Sequence, residues 1–404
     1  MQTAGTGEAV MVEAGAARRD AAADPVLDYE QRFAQRTGAP FAISFSHARA
    51  AIAAALEACP GDGNEVLLSP LTCKVVPLAV LSAGLEPVYV DIREDTLNLD
   101  ASRLEASLSR RTRALLFQRT YGNGVGAAEA LAFARRHEIL AIEDCAQCMP
   151  ASDAWLADAA VFSNNPGKPL PAGSGGMVLV RDAEIAERVV ATRARLPRTT
   201  PLESIGPRFE AWVRNRWLSP RLYWLAFELN RLIDSSYEAR PRETEISAEV
   251  TGVARQIGAR QAAAGSRWLD RADTVARQRI RCCAVYAAGL RDRPGLFLPC
   301  PAGDAPLYFF PVLVEGKAEL LRDAKRRRIE IIAWPLHAPI YPLPDERSLG
   351  TYGYRTGTCP VADRVATRLI GLPTDPLVRP RDIERIIELV RAHSGGPARG
   401  KDST

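Results

Sequence analysis

The chain has 404 residues, of which 47% are hydrophobic and 25% are charged, and its formal net charge is +4. These proportions are typical of a globular protein and exclude a wholly disordered chain, a collagen-like repeat and a small disulfide-rich protein. The small net charge gives no indication of a nucleic-acid partner, and no apolar run reaches the length needed to span a bilayer.

The N-terminus and the cysteines predict the compartment. The first twenty residues lack a basic segment followed by an apolar core, so they do not resemble a secretory signal. Without export, the eight cysteines are expected to be reduced thiols, and we expect a cytoplasmic protein.

The first half of the chain has the pattern of an α/β fold. Residues 1–23 show no period and are predicted to be a mobile tail, after which Asp24 caps a helix that begins at Pro25. From residue 41 onward, short apolar runs alternate with helical segments, which favours a largely parallel sheet. The predicted strands are Phe41–Phe45, Val66–Leu68, Pro87–Val90, Ala114–Phe117, Ile139–Ile142, 159–162 and 176–180. The helices between them are predicted at 49–58, 74–83, 101–109 and 127–137.

The second half of the chain has a different pattern. Residues 182–275 are predicted to be mostly helical, and from residue 276 helices and strands are mixed. The predicted elements there are Ala276–Leu290, Leu307–Val314, 317–328, Ile329–Ala333 and Pro380–Ala392. We therefore expect a large domain over 24–275, with a mostly parallel sheet flanked by helices. A smaller C-terminal α+β domain over 276–393 and a polar tail over 394–404 complete the prediction.

Two other motifs are interpreted as structural. The glycines in Gly122-Asn-Gly-Val-Gly126 fit neither phosphate-loop spacing, so we predict a plain strand-to-helix turn. The pair Cys145 and Cys148 has the spacing of a redox or zinc motif, but no second such pair follows, so a structural zinc is not expected.

Three segments carry side chains suited to chemistry, and each follows a predicted strand. Asp144 lies in Glu143–Gln147, the segment directly after the run Ile139–Ile142, and ligands of parallel sheets lie beyond the carboxyl ends of the strands. Lys168, one of only five lysines, lies in a loop of Asn, Pro and Gly after the strand at 159–162. Residues Ser46–Ala51 join a strand to an Ala-rich helix, whose first N–H groups are suited to an anion.

Each of these features also has an ordinary structural explanation, as a turn aspartate, a solvated lysine or a plain turn. Together, an amine, a carboxylate and an anion pocket are the set that a pyridoxal 5'-phosphate site needs. The amine forms an imine with the aldehyde, the carboxylate keeps the pyridine nitrogen protonated, and backbone N–H groups bind the phosphate. The three segments alone leave both explanations open.

Longer segments of the sequence favour the cofactor site over the purely structural explanation. They are Asn64–Thr72, Ala83–Ile92, Asp95–Asp100, Tyr121-Gly122, Ile142–Gln147, Ser163–Lys168, Trp334–His337, Cys359–Ala362 and Leu372-Pro373. In order and spacing they resemble the DegT/StrS family of pyridoxal-phosphate-dependent sugar aminotransferases. The resemblance covers most of residues 40–195 and 245–392.

The resemblance implies roles for individual residues. Lys168 would bind the cofactor covalently and then move a proton during transamination, and Asp144 would pair with the pyridinium nitrogen. Gln147 would lie near the phenolic oxygen of the ring, while Ser163 and the turn Ala48-Arg49 would hold the phosphate. That turn is usually Gly-Thr in the family, so here the hydroxyl is lost and Arg49 offers a charge instead.

Two further positions depart from the family pattern. Cys73 stands where an aromatic residue often stacks on the cofactor, and Ser247 corresponds to an asparagine that reaches the phosphate of the partner subunit. The family is dimeric, generally uses glutamate as amino donor, and acts on nucleotide-linked keto sugars. Residues expected to line the acceptor site, each of which could equally be structural, are Arg119, Tyr121, Trp334 and His337.

Residues 196–244 fit the family poorly. They contain three of the six tryptophans, Trp212, Trp217 and Trp224, with arginines between them. We interpret the segment as an inserted cap packed on the dimer, and the alternative is contact of 205–235 with a membrane surface.

Three functions remain open at this point. The leading hypothesis is an aminotransferase that makes an amine on a nucleotide-linked sugar for polysaccharide or glycoconjugate synthesis. The alternatives are a catalytically inactive regulator or scaffold with the same fold, and a transaminase whose acceptor is a non-sugar ketone such as an aminocyclitol precursor.

Overall fold

The structure is a computed structural model that describes residues 24–165, 167–200, 250, 252–300, 305–336, 338–343 and 346–394. The predicted N-terminal tail, Ser247, His337, nearly all of the C-terminal tail and most of the predicted insertion lie outside these ranges. No helix within the described ranges is both long and apolar enough to cross a membrane.

Ten strands are described. They are β1 (Phe41–Phe45), β2 (Glu65–Leu68), β3 (Glu86–Tyr89), β4 (Thr112–Gln118), β5 (Leu140–Asp144), β6 (Ala159–Ser163), β7 (Gly176–Val180), β8 (Leu296–Phe297), β9 (Phe309–Val314) and β10 (Leu369–Pro373).

The described α-helices flank and connect these strands. They are α1 (Pro25–Thr37), α2 (Ala48–Glu57), α3 (Val75–Ser82), α4 (Leu104–Ser107), α5 (Ala127–Arg136), α6 (Ala183–Arg195), α7 (Ala259–Leu269), α8 (Ala272–Leu290), α9 (Lys317–Arg327), α10 (Pro360–Arg368) and α11 (Pro380–Ala392).

The main sheet has seven strands in the order β1-β7-β6-β5-β4-β2-β3. Only β7 runs antiparallel to its neighbours, so the carboxyl ends of the other six strands share one edge with the start of β7. Apolar side chains on both faces are buried under helices, as parallel sheets require. The predicted α/β fold with a mostly parallel sheet flanked by helices is confirmed.

Local sequence explains the first helix and the glycine turn. The Asp24 side chain accepts a hydrogen bond from the Val26 amide at 2.9 Å, and Pro25 occupies the first turn, as predicted. Gly126 precedes α5 with a φ of 88°, a left-handed conformation that glycine adopts without strain. The glycine motif is therefore a turn that starts a helix.

A second sheet, with the order β10-β9-β8, is antiparallel and packs against α8, α9 and α11. The predicted strand Ile329–Ala333 is wrong, because this segment makes only a bridge between Ile332 and Gly371. In its place, α10 and β10 complete the layer.

Asp91 caps the start of α10, since its carboxylate accepts hydrogen bonds from the amides of Val361 and Ala362 at 3.0 Å. The domain limits given above stay a prediction.

One buried amine ties the start of α9 to two later segments of the chain. Lys317, only 5% exposed at the start of α9, donates to the carbonyls of Pro335 and Ala366. Burial among neutral groups lowers the pKa of the Lys317 amine to about 7, since the charged form loses its hydration.

We expect this amine to make the stability depend on alkaline pH. Between pH 7 and 10 the unfolded chain holds a proton on Lys317 that the folded chain has released, so the free energy of unfolding rises with pH. From pH 7.5 to 9.5, wild type should gain about 2 kcal/mol relative to Lys317→Met. Urea unfolding at a series of pH values measures this gain.

Lys325→Met, at an exposed position on the same helix, is the control and should leave the slope unchanged. Identical pH profiles for wild type and Lys317→Met would contradict the assignment.

Candidate active site

The candidate site lies at the edge of the main sheet where β1, β5 and β6 end and β7 begins. Asp144 ends β5, Ser163 ends β6 and Gly176 begins β7, and Ser163 and Gly176 are register partners. Because side chains alternate between faces along a strand, Asp144 and Ser163 point to the face that α2 and α3 cover. The topology thus brings together segments far apart in the chain.

Asp144 is a buried carboxylate with one open oxygen. Its Oδ1 accepts a hydrogen bond from the Ala146 amide at 2.9 Å, whereas Oδ2 accepts none from any residue in the described ranges. Burial raises the pKa of the Asp144 carboxyl, and both the Ala146 amide and the positive charge of Lys168 lower it. The two sequence-predicted residues Asp144 and Lys168 are therefore close enough to interact.

Lys168 lies in the loop between β6 and β7 and is half-buried. The loop is shaped by its own hydrogen bonds, since the Lys168 amide donates to the Asn165 carbonyl at 3.1 Å and the Asn164 amide donates to the Gly175 carbonyl at 2.9 Å. The Lys168 amine makes no hydrogen bond with the described part of the chain, and its nitrogen lies 5.7 Å from the centre of the Tyr308 ring.

The start of α2 forms an anion-binding geometry beside Ser163. No side chain caps α2 at His47, and the amides of Ala48 and Ala50 have no acceptor among the residues described. A helix start with open N–H groups attracts anions. Gly176 lets α2 approach the sheet, because a Cβ there would lie 2.6 Å from both the backbone nitrogen and the Cα of Ala48.

Arginines rather than a histidine supply positive charge near this helix start. His47 is largely buried, and desolvation, followed by the nearby Arg49 charge and that of Arg255, lowers its pKa to about 4. His47 is therefore neutral near pH 7, and the charges beside it are those of Arg49 and Arg255.

Gln147 connects the site to Tyr121 and, through it, to the segment around Trp334. Its Oε1 accepts the Tyr121 amide at 2.5 Å, and its Nε2 donates to no acceptor within the ranges that the structure covers. Tyr121 is fully buried at a φ of 56°, and its hydroxyl donates to the Trp334 carbonyl at 3.1 Å. The predicted residues Gln147, Tyr121 and Trp334 thus form one contact chain.

Cys73 is held against the segment near Trp334. It forms a bridge with Tyr341, and the flanking Thr72 carbonyl and Lys74 amide pair with the Tyr341 backbone at 3.0 and 2.7 Å. Its thiol is half-buried and free of any disulfide.

Arg119 lies on the other face of the sheet. Its Nε donates to the buried Glu143 carboxylate at 2.7 Å, and Glu143 also accepts the Ala157 amide at 3.0 Å. Since Glu143 and Asp144 are consecutive in β5, their side chains point to opposite faces. The structure therefore does not bring the Arg119 side chain together with Asp144 and Lys168.

Sequence reasoning missed Tyr308. Its hydroxyl donates to the Gly167 carbonyl, next to Lys168 in the loop. Tyr308 lies about 140 residues from that loop and in the second layer, so no local pattern links the two. The sequence pattern marks Tyr308 only as a member of the predicted element Leu307–Val314.

Residues 19–199 and 227–391 match the DegT/DnrJ/EryC1/StrS aminotransferase family. The chain belongs to this family. Its members are sugar aminotransferases, so the chain is a transferase enzyme of that class.

Relatives of this DegT/DnrJ/EryC1/StrS chain align over nearly its whole length. The spore coat polysaccharide biosynthesis protein SpsC of Bacillus subtilis is 28% identical over 91% of this chain and 88% of its own. The dTDP-3-amino-3,4,6-trideoxy-alpha-D-glucose transaminase of Micromonospora megalomicea is 27% identical over the same shares. DesV of S. venezuelae, solved in complex with a ketimine intermediate, is 26% identical with a TM-score of 0.69, covering 91% of this chain and 88% of that one.

The open polar groups of this family member fit pyridoxal 5'-phosphate. Asp144 Oδ2 could accept a ring N–H, Lys168 Nζ could react with an aldehyde, Gln147 Nε2 could donate to a phenolic oxygen, and the amides of Ala48 and Ala50 could bind a phosphate. No group of three or more metal-ligating side chains is found in the part of the chain that the structure describes.

We expect Gly176→Ala to disturb the anion-binding helix start specifically. The added Cβ would meet backbone atoms of α2, which cannot rotate away, so the free energy of unfolding should fall by about 1–3 kcal/mol. Displacement of the α2 amides should weaken binding of pyridoxal 5'-phosphate at least tenfold, as measured by absorbance titration.

Gly350→Ala is the matched control, because a Cβ at Gly350 meets nothing within 4 Å. Wild-type cofactor affinity in Gly176→Ala would show that the helix start does not hold the phosphate.

Proposed function

We propose that this protein is a pyridoxal-phosphate-dependent aminotransferase that transfers an amino group, from glutamate, to the keto group of a nucleotide-linked sugar. One observation carries the proposal: the open Asp144 carboxylate, Ser163 and the uncapped start of α2 lie at one sheet edge, beside the loop that carries Lys168, whose charge lowers the pKa of Asp144.

The proposed chemistry has two parts, the electron sink that the bound cofactor would supply and the roles of this chain's own residues. Bound pyridoxal 5'-phosphate would supply an electron sink that lets a C–H bond next to the amine release its proton. Asp144 would hold the ring nitrogen protonated, since an N–H donor at Oδ2 favours the ionised carboxylate against its burial. Lys168, with no competing hydrogen bond in the described ranges, would accept that proton and return it to the carbon on the other side of the amine nitrogen.

The second layer would close the site. Gln147 receives the Tyr121 amide with one end of its side chain and leaves the other end for the ring oxygen. Tyr121 and Trp334 form an apolar wall, with ring centres 5.6 Å apart. In the proposed site such a wall would exclude water from the amine and the buried acid, which would strengthen the interaction between them.

The proposed class of substrate is inferred from the names of the relatives. The Micromonospora relative is named for a dTDP-linked sugar, and SpsC is named for polysaccharide synthesis. We propose an acceptor of the same class and a homodimeric assembly, and we propose that Ser163 and Arg49 help to hold the phosphate.

Reduction with borohydride tests the cofactor site. Wild-type protein incubated with pyridoxal 5'-phosphate should be labelled at Lys168, as found by peptide mass spectrometry, and Lys168→Ala should lose both the label and the activity. Lys325→Ala, at an exposed lysine, should keep both. A label at another lysine, or none, would contradict the proposal and favour an inactive regulator or scaffold.

A two-step assay of the reconstituted protein tests the identity of the amino donor and of the acceptor. Glutamate should bleach the visible absorbance of the reconstituted protein, and a dTDP-linked keto sugar should then restore it. If the ketone precursor of an aminocyclitol restores the absorbance and the keto sugar does not, the acceptor is not a nucleotide-linked sugar.

A further inference from the structure

Tyr308 lies in the second layer and contacts the loop between β6 and β7 that carries Lys168. It lies immediately before β9, and its hydroxyl donates a hydrogen bond to the Gly167 carbonyl. The Lys168 nitrogen lies 5.7 Å from the centre of its ring, within the range of a cation–π interaction. One side chain thus contacts both the peptide before Lys168 and the amine of Lys168.

The backbone of Tyr308 is itself fixed on both sides. Its amide donates to the Tyr121 carbonyl at 2.7 Å, and its carbonyl accepts Nη1 of Arg279 at 2.8 Å and the Thr374 hydroxyl at 2.8 Å. Arg279 is 2% exposed, and its guanidinium lies 5.6 Å from the centre of the Tyr308 ring. A residue whose backbone is held by these hydrogen bonds, and whose ring lies beside a buried guanidinium, has little freedom to follow the loop.

The hydrogen bond from Tyr308 is made to a glycine of the loop. Gly167 has a φ of 80°, a conformation that glycine adopts without strain, so the chain before Lys168 is not restrained by its own side chain. A hydrogen bond to the Gly167 carbonyl fixes the plane of the peptide that joins Gly167 to Lys168. The direction in which the lysine leaves the backbone follows from that plane.

We propose that Tyr308 is a positioning residue that holds Lys168 toward Asp144, the hydroxyl by fixing the Gly167 peptide and the ring by packing beside the amine. The inference rests on the proposed function of Lys168. It assigns a part of the catalytic geometry to the second layer, although Tyr308 itself need not touch the reacting atoms.

The test measures Lys168 in the cofactor-free full-length chain. Competitive acetylation with acetic anhydride, followed by peptide mass spectrometry, gives the labelling of Lys168 relative to the exposed Lys325. With only five lysines in the chain, each peptide is readily assigned. We expect a rise of about two- to fivefold in this ratio for Tyr308→Leu and a smaller rise for Tyr308→Phe.

A second readout uses the same variants after reconstitution with pyridoxal 5'-phosphate. The single-turnover rate with glutamate should fall about three- to tenfold in Tyr308→Phe, while the KM for glutamate stays within twofold. Misplacement of the amine slows the proton transfer, whereas it leaves donor binding intact.

Tyr286→Phe is the matched control. Tyr286 is buried against the second sheet, and its hydroxyl donates to the Pro373 carbonyl at 3.0 Å rather than to the Lys168 loop. It should leave both readouts at wild-type values. Thermal unfolding of Tyr308→Phe shows whether that variant is folded, and it keeps the test decisive should Tyr308→Leu fail to fold.

The outcomes separate this inference from the proposed function. Wild-type labelling of Lys168 in both Tyr308 variants, or an equal rise in Tyr286→Phe, overturns the positioning role. Absence of borohydride-fixed cofactor at Lys168 in wild type overturns the proposed function instead, because the labelling ratio is measured without cofactor.

Discussion

The candidate site depends on the burial of one carboxylate. Asp144 is 4% exposed, yet only the Ala146 amide donates to it within the described ranges, and Oδ2 is left open. A buried acid with an open oxygen is costly unless a cation or a donor pairs with it. Lys168 offsets part of this cost through its charge, and a protonated ring nitrogen would offset more.

The sheet topology makes this arrangement possible. β1, β5 and β6 run parallel and end at one edge, while β7 runs back from that edge and starts with Gly176. The glycine allows α2 to approach the sheet closely beside Ser163. The anion-binding amides and the buried acid are therefore positioned by packing of the main sheet, whereas the amine lies on a loop that the second layer contacts.

Much of the fold followed from local patterns. Alternating apolar runs and helices predicted the main sheet, and the residues at strand ends included Asp144 and Lys168, since chemistry in parallel sheets collects there. The predicted strand Ile329–Ala333 failed because its apolar residues pack in the second layer without a continuous ladder. An apolar run alone does not distinguish a strand from a buried irregular segment.

Other features depend on contacts between distant segments. Glu143 and Asp144 are consecutive in β5, so the sequence already implies that their side chains point to opposite faces. The ion pair of Arg119 with Glu143 joins the residue after β4 to β5 and has no local signature in the sequence. The role of Tyr308 could not be read from its neighbours in sequence, because the loop it contacts is in another layer. Pairing across layers is the information that a single sequence lacks.

A crystal structure of the protein soaked with pyridoxal 5'-phosphate tests the central claim most directly. The account predicts the ring nitrogen within hydrogen-bond distance of Asp144 Oδ2, the aldehyde carbon bonded to Lys168 Nζ, and the phosphate on the amides at the start of α2. A cofactor bound elsewhere, or a Lys168 amine directed to solvent and away from Asp144, would contradict it.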